Sequence, residues 1–241
     1  MDVKTQTSLC YHDPMQNRVA IIHRFYPMVA ASLIILSLAG CGTDYSHITN
    51  LDSTGEKLIC FGDSNTRGYG ASTPINTYPF VLGRLLEQPV FNLGKNGDTT
   101  ESALKRLDEL VIEEGTPRIV IIGLGGNDFL AKRQKELVMR DLEEIVNQIQ
   151  AMGAMTVIVH AKFGILGSDP YYDGFKDIAD RTGSAFVPNI LKGIFGNPSR
   201  MSDLIHPNDE GNAIMAERVA KVLIPLLKQA DAAQQSNAIT Q

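Results

Sequence analysis

The feature that most constrains this chain is an alternation that begins at residue 57. Short, mostly apolar runs alternate with longer amphipathic stretches. The runs are residues 57–61 (KLICF), 90–93 (VFNL), 118–124 (RIVIIGL), 156–160 (TVIVH) and 185–187 (AFV). A strand with one wet face alternates apolar and polar residues, whereas a continuous apolar run fits a strand covered on both faces. The stretches between them carry helical spacing. Residues 78–87 present Phe80, Val81 and Leu85; 99–111 present Ala103, Leu104, Leu107 and Leu110; 135–152 present Leu142, Ile145, Val146 and Ile149. A short helix is expected over 175–182. A long one is expected over 208–229, capped by Asn208 and apolar at Ile214, Met215, Val219, Val222 and Leu223.

Strand–helix alternation with doubly covered strands predicts an α/β domain over residues 57–228. Its expected form is three α/β/α layers around a flavodoxin-like, parallel, five-stranded sheet. With 44% hydrophobic residues in 241, the chain can fill such a core without a disulfide or metal staple. Cys60 lies in an apolar run and reads as a small buried thiol. The formal net charge is -5 and there is no basic block, which argues against a nucleic-acid partner.

In open parallel sheets, ligands bind beyond the carboxyl ends of the strands. Three polar, glycine-rich segments fall there: Gly62-Asp63-Ser64, Gly94 to Gly97, and Gly125 to Asp128. Ser64, at a strand-to-loop junction, is placed where a tight turn exposes a nucleophile. A serine hydroxyl needs a base. His206 is the candidate, and Asp203, three residues earlier, can orient it. Pro207 fixes the backbone at the entrance to the last helix. Donors for a developing oxyanion are the Ser64 N–H, the Gly97 N–H and the Asn127 side-chain amide. Each of these segments could alone be an ordinary turn. Their occurrence in chain order at one edge favours a site.

Together the segments resemble the blocks of the SGNH (GDSL) hydrolase family. Phe61-Gly62-Asp63-Ser64 is similar to its first block, Gly97 to its second-block glycine, Gly125-Gly126-Asn127-Asp128 to its third, and Asp203-Leu204-Ile205-His206-Pro207 to its fifth. Within the family the chain looks most like the compact bacterial thioesterase, lysophospholipase and arylesterase branch. Asn65 departs from the pattern, standing where the family's nickname has Leu. The resemblance implies a Ser64–His206–Asp203 triad, no metal, and no organic cofactor. It also implies that Asp98 and Asp128 are neighbours of the site, not triad members. The expected substrate is a small ester or lipid-like molecule. An O-acetyl esterase of envelope glycans is an alternative, and a non-catalytic flavodoxin-like binding module is one of another class. Residues 67–78 and 162–172 are candidate pocket-lining segments; the latter, with Phe163, Ile165, Leu166, Tyr171 and Tyr172, fits a cover for an acyl chain and equally an apolar loop packed on the core.

The first forty residues read as an address. Residues 29–40 (VAASLIILSLAG) form an apolar run behind Arg18 and Arg24. Spanning a bilayer takes roughly 20 such residues, and this run is shorter, as a signal-peptide core is. It ends in Leu38-Ala39-Gly40-Cys41, which resembles a bacterial lipobox. The expectation is a lipoprotein-type signal over 1–40, lipidation at Cys41, a polar tether over 41–56 and a flexible tail over 229–241. Such a chain would sit in the bacterial cell envelope, periplasmic or outer-surface, held to a membrane by acyl chains.

Overall fold

A computed structural model describes residues 43–111, 115–162 and 169–240. The signal-like run, Cys41 and the part of the candidate pocket-lining segment at 163–168 lie outside the described residues.

The strands are β1 (Lys57–Gly62), β2 (Val90–Gly94), β3 (Pro117–Gly123), β4 (Met155–Val159) and β5 (Ala185–Val187). All pair in parallel, in the order β2-β1-β3-β4-β5, as the apolar runs predict. Between and after them come α1 (Ser64–Arg67), α2 (Tyr78–Leu85), α3 (Thr100–Leu104), α4 (Gly126–Leu130), α5 (Lys135–Ala151), α6 (Tyr172–Thr182) and α7 (Asp209–Thr240). Gly62 pairs with both Gly94 and Gly123, so three strands end level at one edge.

Successive side chains on a strand point to opposite faces, and here both faces are dry. Leu58 and Cys60 of β1, Ile119 and Ile121 of β3, and Met155 and Val157 of β4 join a core closed by Leu82 of α2 and by Met215, Val219 and Leu223 of α7. Ile59, Phe61, Val120, Ile122 and Ile158 face the other way, onto Leu142, Ile145 and Ile149 of α5 and onto Phe175 and Ile178 of α6. Full burial of one such side chain contributes about 1.5–3 kcal/mol. The sheet is therefore the middle of three layers. Burial also pushes the Cys60 thiol up to about 12, so it is a packing group and not a nucleophile.

Four expectations need correction. Residues 43–56 are not a free tether. Tyr45 and Ile48 are buried in the α7-side core. The Thr49 amide donates to Gly183 O at 2.9 Å, and Asn50 Nδ2 donates to Gln150 O and Ala154 O at 2.8 and 3.0 Å. The same docking removes the expected tail, because α7 continues to Thr240. Gln229 accepts from the Tyr45 amide at 2.8 Å, Gln234 bonds to the Ser53 carbonyl, and Ala230 is buried. The single helix expected over 99–111 is broken. After α3 the chain turns at Arg106 (φ -127°) and re-forms a 3₁₀ turn, Leu107–Leu110, because the Arg106 side chain is drawn inward as described below. Helix α6 starts earlier than expected, since Asp169 Oδ1 accepts the amides of Tyr171 and Tyr172 at 3.1 and 3.2 Å. Among the described residues, no helix is long and apolar enough to cross a membrane.

Candidate active site

The site is built at the level edge formed by β1, β2 and β3. Immediately after β1 the chain enters α1, a helix of one turn. Asp63 caps it, its Oδ1 accepting the Asn65 amide at 2.9 Å. Gly62 permits the turn by lying hard against its neighbours: a Cβ there would stand 2.3 Å from both Gly123 O and Thr66 Oγ1. Ser64 is the first residue of α1, so its own N–H has no acceptor within the helix.

His206 reaches this point from a loop 142 positions away in sequence, its Nε2 lying 3.0 Å from Ser64 Oγ. Its Nδ1 lies 2.7 Å from Asp203 Oδ2. A carboxylate can only accept, so Nδ1 carries the proton and Nε2 presents its lone pair to the serine hydroxyl. The loop is pinned as a tight clip. Asp203 Oδ1 accepts the amides of Ile205 and His206, both at 2.8 Å, and the Ser202 amide donates to His206 O at 2.8 Å. Partial desolvation pushes the Asp203 carboxyl up, but the bonds from His206 and from the two amides outweigh it and hold it below the usual carboxylate range. Asp203 is therefore ionised at neutral pH.

Asn127, in α4, shares the pocket wall with Ser64, His206, Gly126, Leu130 and Ile205. Its Nδ2 donates to the Asp98 carbonyl at 2.8 Å, which ties it to the loop carrying Gly97. Gly97 stands at the same edge, one strand over, but is not part of that wall. The reason for a glycine also differs from the expected close approach. A Cβ there would meet nothing within 4 Å, whereas the φ of +81° is one that side-chain-bearing residues rarely adopt. The structure thus unites Ser64, His206, Asp203 and Asn127, and leaves Gly97 adjacent.

The residues 60–214 match the model of the GDSL-like lipase/acylhydrolase family. The chain belongs to that family. Membership makes it a carboxylic ester hydrolase and sets aside the non-catalytic binding module weighed from the sequence. An arylesterase of Vibrio mimicus is 32% identical over 180 residues, spanning 70% of this chain and 88% of that one. The thioesterase 1/protease 1/lysophospholipase L1 of Escherichia coli K12 is 28% identical over 71% of this chain and 85% of its own length. The crystal structure of TesA superposes with a TM-score of 0.65 at 28% identity, covering 71% of this chain and 99% of the other.

Among the groups around the site of this acylhydrolase, Arg106, Tyr69 and His160 were not singled out from its sequence. Arg106 is buried. Its Nε donates to Asp98 at 2.6 Å and its NH2 to carbonyls near the ends of β1 and β2, Gly62 O at 3.2 Å and Leu93 O at 3.0 Å. Its guanidinium also covers the Phe61 ring at 4.1 Å. The available signal was its spacing: Arg106 shares the i, i+3, i+4, i+7 face with Ala103, Leu107 and Leu110. Asp128 is fully buried and accepts the Thr100 amide and hydroxyl, both at 2.9 Å, and Arg133 at 3.1 Å. Asp98 and Asp128 therefore brace the loops, as the family resemblance implied, and neither touches His206 through any hydrogen bond among the described residues. Burial pushes the Asp63 carboxyl up to about 7, with the carboxylates of Asp98 and Asp128 adding to the rise against the amide bonds it accepts. Tyr69 packs on His206, ring centroids 4.7 Å apart. His160 ends at the same edge after β4 but is engaged elsewhere, its Nε2 3.1 Å from Asp169 and its ring among Tyr172, Phe175 and Phe186.

Proposed function

We propose that this acylhydrolase cleaves carboxylic esters through Ser64, His206 and Asp203. The acyl groups would be short to medium, and aryl esters, thioesters and lysophospholipids fall within the substrate range. What supports the reading is the continuous line Asp203–His206–Ser64, with separations of 2.7 and 3.0 Å. In the first step His206 Nε2 takes the Ser64 proton as Oγ bonds to the ester carbonyl carbon. The carbonyl oxygen becomes an oxyanion, held by the Ser64 N–H, the second N–H of the Asn127 amide and the Gly97 N–H. The tetrahedral centre then collapses. The bond to the alcohol oxygen breaks, and that oxygen leaves with the proton from His206. Water, deprotonated by the same imidazole, clears the acyl group and returns the proton to Ser64. Asp203 keeps the imidazole in the required tautomer and balances its charge when protonated.

The test uses p-nitrophenyl acetate and butyrate turnover together with a fluorophosphonate probe. The expected result is labelling at Ser64, with both labelling and turnover lost in Ser64→Ala by about 10⁴-fold or more. Wild-type turnover in Ser64→Ala would exclude Ser64 as the nucleophile.

We also infer that Cys41 is lipidated and holds the enzyme in the bacterial cell envelope. The support is the apolar run at 29–40 ending in Leu-Ala-Gly-Cys. Labelled palmitate should enter the wild-type chain and not Cys41→Ser. Equal labelling of the two would place the acyl group elsewhere.

A further inference from the structure

One side of the imidazole carries a feature that the ester-cleaving line does not use. Tyr69, 60% exposed, packs on the His206 ring and at the same time forms one wall of a separate groove of about 470 Å³. The groove lies between residues 67–74, Thr77 and Phe80 from α2 and its start, and Val90 and Asn92 of the edge strand β2. Tyr69 and Phe80 give it aromatic walls. Arg67 is the one charged residue lining it among those described. The Arg67 side chain is exposed, and among the described residues its guanidinium has no hydrogen bond and no ion pair. Asp209, a carboxylate bonded to this loop, is occupied: it accepts the Ser72 amide at 2.7 Å, the Ser72 hydroxyl at 2.6 Å and Asn76 at 2.9 Å.

Position gives this cation its meaning. Arg67 is the last residue of the one-turn helix that begins with Ser64, so its backbone is fixed relative to the nucleophile. The leaving alcohol takes its proton from His206, so the rest of that alcohol departs along the imidazole side, where Tyr69 stands. In a chain of net charge -5, an unpaired guanidinium beside the site offers an anion a local attraction. Guanidinium is the side chain best matched to the oxygens of a phosphate. The Thr73 hydroxyl and the Asn92 amide, both lining the groove, add donors for a group with several oxygens.

We propose that this groove is the subsite for the alcohol part of the ester, and that Arg67 binds a phosphate carried by that alcohol. The preferred substrates are then acyl esters of phosphorylated alcohols. The proposal rests on the assignment of Ser64 as nucleophile and His206 as proton donor.

The test compares 1-acylglycerol 3-phosphate with the monoacylglycerol of the same chain, both below micelle-forming concentration, on the folded enzyme. The readout is the ratio of their kcat/KM values. Arg67→Gln should lower this ratio about 10-fold, mainly through KM for the phosphate ester, in line with the loss of a charge-assisted contact. Arg67→Lys should lower it less, and Arg67→Glu more. A ratio that stays the same in all three variants overturns the groove assignment while leaving the esterase reading intact. Absence of turnover for both esters, with no fluorophosphonate labelling of Ser64, overturns both.

Discussion

The carboxylates around this site fall into two groups that are held in opposite ways. Asp98 and Asp128 are buried, with side-chain exposures of 5% and 0%, and are saturated by Arg106, Arg133, Ser102 and Thr100. Asp203, 43% exposed in its side chain, sits on a loop and has one side-chain partner, His206, besides two amides of its own loop. The buried pair fixes where strands and loops end. The exposed one fixes a tautomer. A group whose partner must gain and lose a proton is placed where water can share the charge, whereas groups that hold the scaffold are sealed and neutralised.

That contrast can be broken by substitution, and the largest effect is expected at Asp203. Asp203→Asn should lower kcat by about 10³–10⁴-fold through loss of the working tautomer. Its urea midpoint should stay near that of the wild type, because the side chain is partly exposed and Asn keeps an oxygen to accept the Ile205 and His206 amides. A large loss of stability would place Asp203 with the scaffold group. Asp128→Ala should do the reverse. Removing one member of a buried charged network destabilises by about 3–5 kcal/mol. Urea titration should show this loss, with kcat per folded molecule changed far less than in Asp203→Asn.

Asn127→Ala sharpens the comparison, since Asn127 shares the pocket wall with His206 and is tied to the Asp98 carbonyl. A drop in kcat of about 10²-fold with little change in KM is expected for loss of an oxyanion donor. An unchanged kcat would leave it a loop tie only. The smallest effect is expected at Asp63, buried and uncompensated by any cation in a hydrogen bond among the described residues. Its carboxyl is raised to about 7 by burial first, from an ordinary value near 4. A raised carboxyl favours the fold while protonated, so its contribution is whole below about pH 4 and is lost as pH rises through 7. Asp63→Asn, which cannot ionise, should therefore melt higher than the wild type at pH 8 and lose that advantage by pH 4. A constant gap in Tm across this range would show that Asp63 does not titrate there.

Most of the sheet was legible because a strand buried on both faces writes its burial into every position, as residues 119–122 do. The Ser64, His206 and Asp203 set was legible as motif blocks, although the contact between positions 64 and 206 exists only once five strands and α7 are in place. What local pattern could not carry was long-range. The turn at Arg106 follows from a buried ion pair with Asp98, not from helix propensity, and tertiary contacts override such weak preferences. Residues 43–56 look like a linker by composition. Their order comes from two apolar anchors and from polar bonds to positions 100 to 184 residues away.

The docked stretch has a further consequence. It lies against the residues that precede β4 and β5 and against the far part of α7, whereas His206 lies just before that helix begins. Twenty residues of helix rise about 30 Å, which is the span from the catalytic loop to where Gln229 receives the incoming chain. Gln229 Nε2 also donates to the Thr43 carbonyl at 2.7 Å, and position 41 is two residues upstream of Thr43, a covalent reach of about 7 Å. Acyl chains there would moor the enzyme by its floor, mouth outward. It would then meet molecules drifting in from the aqueous side and be turned away from the lipids directly beneath it.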